Sequence, residues 1–392
     1  MPELTRYFDH AATTVMPKEV FDAMAPYFLY DFANPGSLHQ FGFQAKEALE
    51  GARAAVAKTL GASSREVIFT GSGTESNNLA VLGGARRMRK LGKGNHVVTS
   101  SVEHPSIRGA CQALESEGFR VTYVPVDGSG RVNVVDIRNA IGPDTVIVSV
   151  MHANNVVGTI QPIAEIGAIT REKGILFHTD AVQSYGKIPV NVEELQVDLL
   201  TINAHKIGGP KGVAALYIRK GVRIDPIVYG GGQERGLRSA TPNVAGIVGF
   251  AKAAEMAMKQ LLKERSRLEG LRVKLIERLT ATVPGCKING DLNNCLPTLI
   301  NISIDRIEGQ ALMLELDRLG FATSSGSACS STDHEPSYVL LAMGKSREVA
   351  LESLRITMGR TTTEQSVDEL AEALNVVAKK WRTAVNVPGI SR

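Results

Sequence analysis

The chain has 392 residues, 43% of them hydrophobic and 21% charged, with 44 Lys and Arg against 40 Asp and Glu for a net charge of +4. That balance suits one large and one smaller globular domain and offers no dedicated surface for nucleic acid. The cysteines (Cys111, Cys286, Cys295, Cys329) form no CxxC pair, which argues against a disulfide framework, a zinc ribbon or any other metal site; no uncharged run approaches a membrane span, and a cytoplasmic location is expected.

In chain order, a short apolar piece leads into Asp9-His10-Ala11-Ala12-Thr13-Thr14, and Pro17 opens a predicted helix to about residue 30. Asn34-Pro35-Gly36-Ser37 is a turn. Phe43, Ala48, Ala52, Ala55, Val56 and Leu60 mark a second helix over residues 40–60, stopped by Gly61. Short β-rich runs then recur at 66–70, 96–99, 120–125, 145–151, 175–178, 197–202 and 213–218. Most are separated by stretches long enough for a crossover, so the pattern predicts an α/β fold with a seven-stranded, mainly parallel sheet covered on both faces.

After Gly230-Gly231-Gly232 and Pro242, a long helix is predicted over about 243–282, ended by Pro284-Gly285. The domain boundary is placed inside it, near 256–261. Strands at 298–304 and 353–358 with helices at 309–319 and 367–380 then make a smaller α/β domain. The expected division is 16–258 for the large domain, with 1–15 and 259–392 forming the small one.

Chemistry collects at the ends of the predicted strands. The run VDLLTI is followed at once by His205-Lys206 and a turn of Gly208, Gly209, Pro210 and Gly212. A lysine held there, in dry and positively charged surroundings, can act as a neutral amine and form a Schiff base with an aldehyde, which is how pyridoxal 5′-phosphate is held. Alone, the pair also reads as surface lysine chemistry in a glycine-rich loop. EVIFT runs into Gly71-Ser72-Gly73-Thr74-Glu75-Ser76 and a helix over 77–90, where backbone N–H groups and hydroxyls suit a single phosphate, although a plain helix cap uses the same residues.

Asp180 ends the strand ILFHTD, where a carboxylate can pair with a protonated pyridine nitrogen or simply cap the next helix; Gln183 follows and can donate to a phenolic oxygen. His104 comes just after the strand HVVT, placed to stack on an aromatic cofactor and shuttle protons. Cys329 lies in TSSGSACSS, which cannot pack a core, so its thiol is expected to be exposed and mobile, suited to attack in one place and delivery in another.

Together these segments resemble the pyridoxal phosphate-dependent cysteine desulfurases of the iron-sulfur assembly and nitrogen-fixation type, in the class-V aminotransferase group of fold type I. The resemblance runs from Phe8 to about Arg360, through GSGTESNNLA, SVEHPS, MHANNVVG, HTDAVQSYGKIPV, NAHKIGGPKG, GGGQERGLRSAT, SSGSACSSTDHEPSYVL and SLRITMGR. It implies that Lys206 is the Schiff-base lysine, that His104 stacks on the ring, and that Asp180 and Gln183 face its nitrogen and phenolic oxygen. Gly73, Thr74 and His205, with Asn203, would serve the phosphate, and Thr241 would reach the phosphate of a neighbouring subunit in a homodimer. Asn155 and Arg355 would hold cofactor and substrate carboxylate, with Asn34 nearby, and Cys329 would form the persulfide.

The implied reaction converts L-cysteine to L-alanine and passes sulfur through Cys329 to an acceptor or iron-sulfur scaffold protein. The same fold also hosts aminotransferases and selenocysteine lyases, and a silent scaffold would keep the cofactor for structure. Cys329 favours the desulfurase over the aminotransferase, because transamination needs no thiol. Three features depart from the family pattern: Asn203 replaces a small hydroxyl residue, Val156 a glutamate, and Gly208 a bulkier residue. The tail after Trp381 also differs from a scaffold-docking tail.

Overall fold

The computed structural model describes residues 3–325 and 335–385. Its larger sheet has seven strands: β1 (Val67–Thr70), β2 (His96–Ser100), β3 (Arg120–Val124), β4 (Thr145–Ser149), β5 (Leu176–Asp180), β6 (Leu199–Asn203) and β7 (Ala214–Ile218). In space they run β1-β7-β6-β5-β4-β2-β3; β7 is antiparallel to both its neighbours and the remaining pairs are parallel. All strands but β7 therefore end at one edge of the sheet.

Apart from β3 at the margin, every strand is buried at each residue, which is why these segments read as continuous apolar runs instead of alternating ones. Neighbouring side chains supply opposite faces. Phe69 and Val148 join Leu49, Val56 and Phe250 beneath helices Gln40–Thr59 and Val244–Thr282. Ile68 and Ile147 join Leu79, Ile107 and Leu114 of helices Gly73–Lys90 and Pro105–Ser116.

A second sheet is antiparallel throughout, with β8 (Cys286–Asn289), β9 (Leu299–Ile304), β10 (Ser324–Ser325) and β11 (Ser353–Thr357) in the order β10-β11-β9-β8. Its core of Ile300, Ile302, Leu354 and Ile356 packs against Leu312, Leu370 and Leu374 of helices Gly309–Arg318 and Glu364–Val385. The long helix serves both cores, giving Ile247, Phe250 and Ala254 to the first and Leu268, Leu271, Leu275 and Leu279 to the second. Phe8 belongs to the second core, and bridges Tyr7–Ala322 and Asp9–Thr357 lay the N-terminal segment along the smaller sheet.

Three differences from the sequence expectation have local causes. The helix expected from Pro17 to residue 30 is split into Lys18–Met24 and Pro26–Leu29, with Pro26 heading the second piece because its nitrogen has no proton to continue the first. The helix expected from residue 77 begins at Gly73, since the Ser72 hydroxyl accepts from the Glu75 N–H at 3.1 Å and caps it earlier. Strands β8 and β10 carry too few apolar residues to be read as strands. Among the described residues no helix is long and apolar enough to cross a membrane.

Candidate active site

The strand ends bring most of the singled-out residues to one edge. Gly73 and Thr74 follow β1, His104 follows β2, Asn155 follows β4, Asp180 and Gln183 sit at the end of β5, and Asn203, His205 and Lys206 at the end of β6. In an open α/β sheet this carboxyl edge is where ligands collect.

A directional chain of hydrogen bonds joins His104 to Asp180. The Asn77 amide NH₂ donates to Asp180 Oδ2 at 2.7 Å and to Ser106 Oγ at 2.9 Å, and Ser106 Oγ lies 2.8 Å from His104 Nδ1. The Ser106 N–H also donates to His104 Nδ1 at 3.2 Å, so Nδ1 is the acceptor and the ring proton belongs on Nε2. Desolvation, aided by Lys206 and opposed by Asp180, pulls the His104 imidazole below its ordinary pKa and favours that neutral form. Asp180 Oδ1 accepts from the Val182 N–H at 2.9 Å, fixing the carboxylate at both oxygens.

Lys206 is gripped by the N-terminal segment: Nζ donates to the Ala11 carbonyl at 2.5 Å and to that of Ala12 at 2.7 Å. Gln183 Nε2 donates to the same Ala11 oxygen at 3.0 Å. Beside them Lys187 donates to Gln183 Oε1 at 2.9 Å, and desolvation together with the charges of Lys206 and Arg355 lowers its ammonium to about 7. Burial first, and then Lys206, Lys211 and Lys187, bring His205 down to about 4, so this imidazole is neutral and contacts Thr13 Oγ1 at 3.2 Å. A cavity of about 260 Å³ runs along Lys206 and Lys187 towards the second core, lined by Ile207, Met256 and Met358.

From β11, Arg355 reaches across to this edge and is buried there, bonded to Asp9 and to the Asn155 carbonyl. Asn34 and Thr241 are exposed; Asn34 accepts from the Gly36 N–H, and Thr241 sits beside Pro242 of the 230–242 loop. Thr74 is exposed, whereas Gly73 is buried. Cys329 lies outside the described residues. Sequence reasoning did not single out Asn77, Ser106 or Lys187. Asn77 lies within GSGTESNNLA, but nothing local announces that its amide spans two strand ends.

Two of the three departures, Val156 and Gly208, have structural explanations. Val156 packs with Val102, Val339, Leu340 and Met343, where a carboxylate would be stranded. Gly208 has φ +87°, and a Cβ there would stand 3.0 Å from Pro17 Cδ, so a bulkier residue does not fit.

The residues present fit a phosphate-bearing pyridine aldehyde. Asn155 Oδ1 is buried without a partner among the described residues. A Cβ on Gly73 would lie 3.1 Å from Val182 Cγ2 and 3.3 Å from Asn203 Nδ2, leaving a bare backbone at the start of its helix, where an anion is favoured. Amine, carboxylate, imidazole and amide, all held at one sheet edge, are the donor set that such a group needs.

The model of the class-V aminotransferase family matches residues 6–370. A relative from Dictyoglomus turgidum named cysteine desulfurase IscS is 48% identical over 377 residues, covering 96% of this chain and 95% of the relative. Among solved structures, a NifS-like protein superposes with a TM-score of 0.90 at 38% identity, covering 97% of this chain and 100% of that one. A structure described as SspA in complex with cysteine matches with a TM-score of 0.80 at 34% identity, covering 92% and 100%.

Proposed function

The chain belongs to the class-V aminotransferases and is a pyridoxal 5′-phosphate-dependent cysteine desulfurase; from that premise we propose how its residues divide the work. The bound cofactor supplies an electron sink for the pair left when the α-proton of L-cysteine is removed. Lys206 would hold the cofactor and, as a free amine once substrate is in place, would take the α-proton. Asp180 is oriented by Asn77 and the Val182 N–H towards the ring nitrogen, and Gln183 offers its NH₂ to the phenolic oxygen. His104, with its ring proton on Nε2, would face the cofactor ring. Gly73, Thr74, Asn203 and His205 receive the phosphate, and Arg355 with Asn155 the substrate carboxylate.

The Cys329 thiolate then attacks the substrate's sulfur. The S–S bond forms as the Cβ–S bond breaks, and the released pair with a proton ends on the carbon that becomes the methyl group of alanine. A persulfide is left on Cys329 for an acceptor, which we take to be a sulfur-acceptor or iron-sulfur scaffold protein. The observation that carries this division is the chain His104–Ser106–Asn77–Asp180, which ties the His104 imidazole and the Asp180 carboxylate into one network.

Two wider features belong to the same reading. Phe28, Leu29, Tyr30, Phe32, Leu38 and Phe41 leave an exposed apolar stretch around Asn34, which supports a homodimer in which Thr241 reaches the neighbouring subunit's phosphate, with Asn34 near the substrate carboxylate. The domains divide within the long helix near 256–261, and the enzyme works in the cytoplasm. The test is sulfide and alanine release from L-cysteine under reductant, compared with Cys329→Ser and with L-selenocysteine. Release lost in the variant supports the assignment; activity on selenocysteine alone would replace the desulfurase reading with a lyase.

A further inference from the structure

Gln183 has an amide whose two ends differ chemically, and its neighbours decide which end faces the site. Ala11 O can only accept, and it already takes a proton from Lys206, so the Gln183 NH₂ must face it, at 3.0 Å. Oε1 must then point the other way, where Lys187 Nζ donates to it at 2.9 Å. One proton of the NH₂ is bound to Ala11 O and the second remains available to an acceptor in the site.

Nothing else bonds to Gln183 Oε1 in the hydrogen-bond network of the described residues. Without Lys187 that oxygen loses its partner inside a buried side chain, only 6% exposed, and the amide is no longer held in one orientation. Lys187 is itself surrounded by positive groups: Lys206 and Arg355 repel it, and its charge in turn disfavours protonation of His10 and His205. A lysine kept in such company costs stability, and a neutral apolar residue would be better tolerated there if its role were only to fill space.

We propose that Lys187 is a positioning residue for this reaction: it fixes the orientation of the Gln183 amide and so the donor that Gln183 presents to the phenolic oxygen of the cofactor. The inference rests on the cofactor assignment given above and deepens it by one residue. Lys187 touches neither substrate nor the reacting atoms and acts only through Gln183.

The test is a double-mutant cycle on the cofactor-loaded enzyme, read first from the visible absorption of the bound cofactor with no substrate present. Lys187→Met and Gln183→Ala should displace the absorption maximum in the same direction, and the double variant should go no further than Gln183→Ala alone. Lys187→Arg, which retains a donor, should stay close to wild type. With cysteine, kcat should fall by about tenfold in Lys187→Met while KM changes little, the loss of one orienting hydrogen bond. If Lys187→Met does not fold, Lys187→Leu, which also lacks a donor, takes its place in the cycle. Independent, additive effects of the two substitutions, or an unchanged spectrum in Lys187→Met, would overturn the proposal. A wild-type protein that binds the cofactor but releases no alanine would remove the desulfurase reading while the spectral cycle still decides the role of Lys187.

Discussion

Arg355 donates through Nη2 to Asp9 Oδ1 at 2.8 Å and through Nη1 to the Asn155 carbonyl at 3.0 Å, so one guanidinium ties the smaller sheet to the N-terminal segment and to the loop after β4. Its Nε is buried with no partner among the described residues. The guanidinium is thus held in place by the protein itself, on two sides.

Arg355→Lys should therefore keep the charge but lose the planar fork. The expected outcome is a KM for L-cysteine raised by about tenfold or more, with the absorption of the bound cofactor unchanged. Steady-state kinetics beside an absorption spectrum check it, and an unaltered KM would remove Arg355 from substrate binding.

Asn77 is the hinge of the network between His104 and Asp180, and it is buried at 1% exposure. Asn77→Ala leaves Ser106 and the Asp180 carboxylate each short of a donor. Cofactor affinity should drop by about tenfold, as expected for losing a hydrogen bond to a charged group. Titration of the apo protein with pyridoxal phosphate measures this, and Lys90→Ala, an exposed residue at the far end of the same helix, is the control.

The fold and the gathering of Lys206, Asp180 and His104 at one sheet edge were legible because their signals are local. A buried apolar run that ends at or shortly before each of them marks a strand end, and strand ends of a parallel sheet share an edge. Asn77 and Ser106 were not legible, because their meaning comes from partners up to 103 residues away that only the closed sheet brings near. Lys187 in SYGKIPV looks like a solvated lysine after a glycine, and its bond to Gln183 depends on the turn at Gly186 with φ +74°. Pro26 was plain to see, yet the periodicity on both sides of it masked the break in the helix.

Glu103 gives a pH prediction. Its carboxyl is fully buried; Oε1 accepts from Ser100 Oγ at 2.6 Å and from the Met151 N–H at 2.9 Å, while Oε2 has no partner among the described residues. Desolvation outweighs those bonds and raises the pKa from 4.5 to about 8. The folded state thus holds a proton that the unfolded state has released above 4.5. The associated stability is complete below 4.5 and is lost as pH rises towards 8. Glu103→Gln cannot titrate, so its Tm relative to wild type should climb by roughly 5 °C between about pH 5 and pH 9. A difference independent of pH would mean that Glu103 is ionised throughout.

The Arg53–Glu234 pair sets the loop that carries Thr241. Arg53 Nη1 and Nη2 donate to the two Glu234 oxygens at 2.7 and 2.8 Å, both side chains are only 5% exposed, and Glu234 also accepts from the Phe69 N–H at 2.8 Å. Glu234 and Arg235 adopt φ of 47° and 59°, an unfavourable left-handed conformation for residues other than glycine, so the ion pair holds a strained turn in place. Removing one partner leaves the other charge buried, and Arg53→Met should destabilise the protein by ~3 kcal/mol. The double variant Arg53→Met, Glu234→Gln should recover part of that loss, because no charge is then stranded. Subunit exchange and cofactor affinity separate the loop's function from its stability. If the pair also positions Thr241 for a neighbouring subunit, the double variant will regain Tm yet still bind cofactor more weakly than wild type, whereas full recovery of both would confine the pair to a structural role.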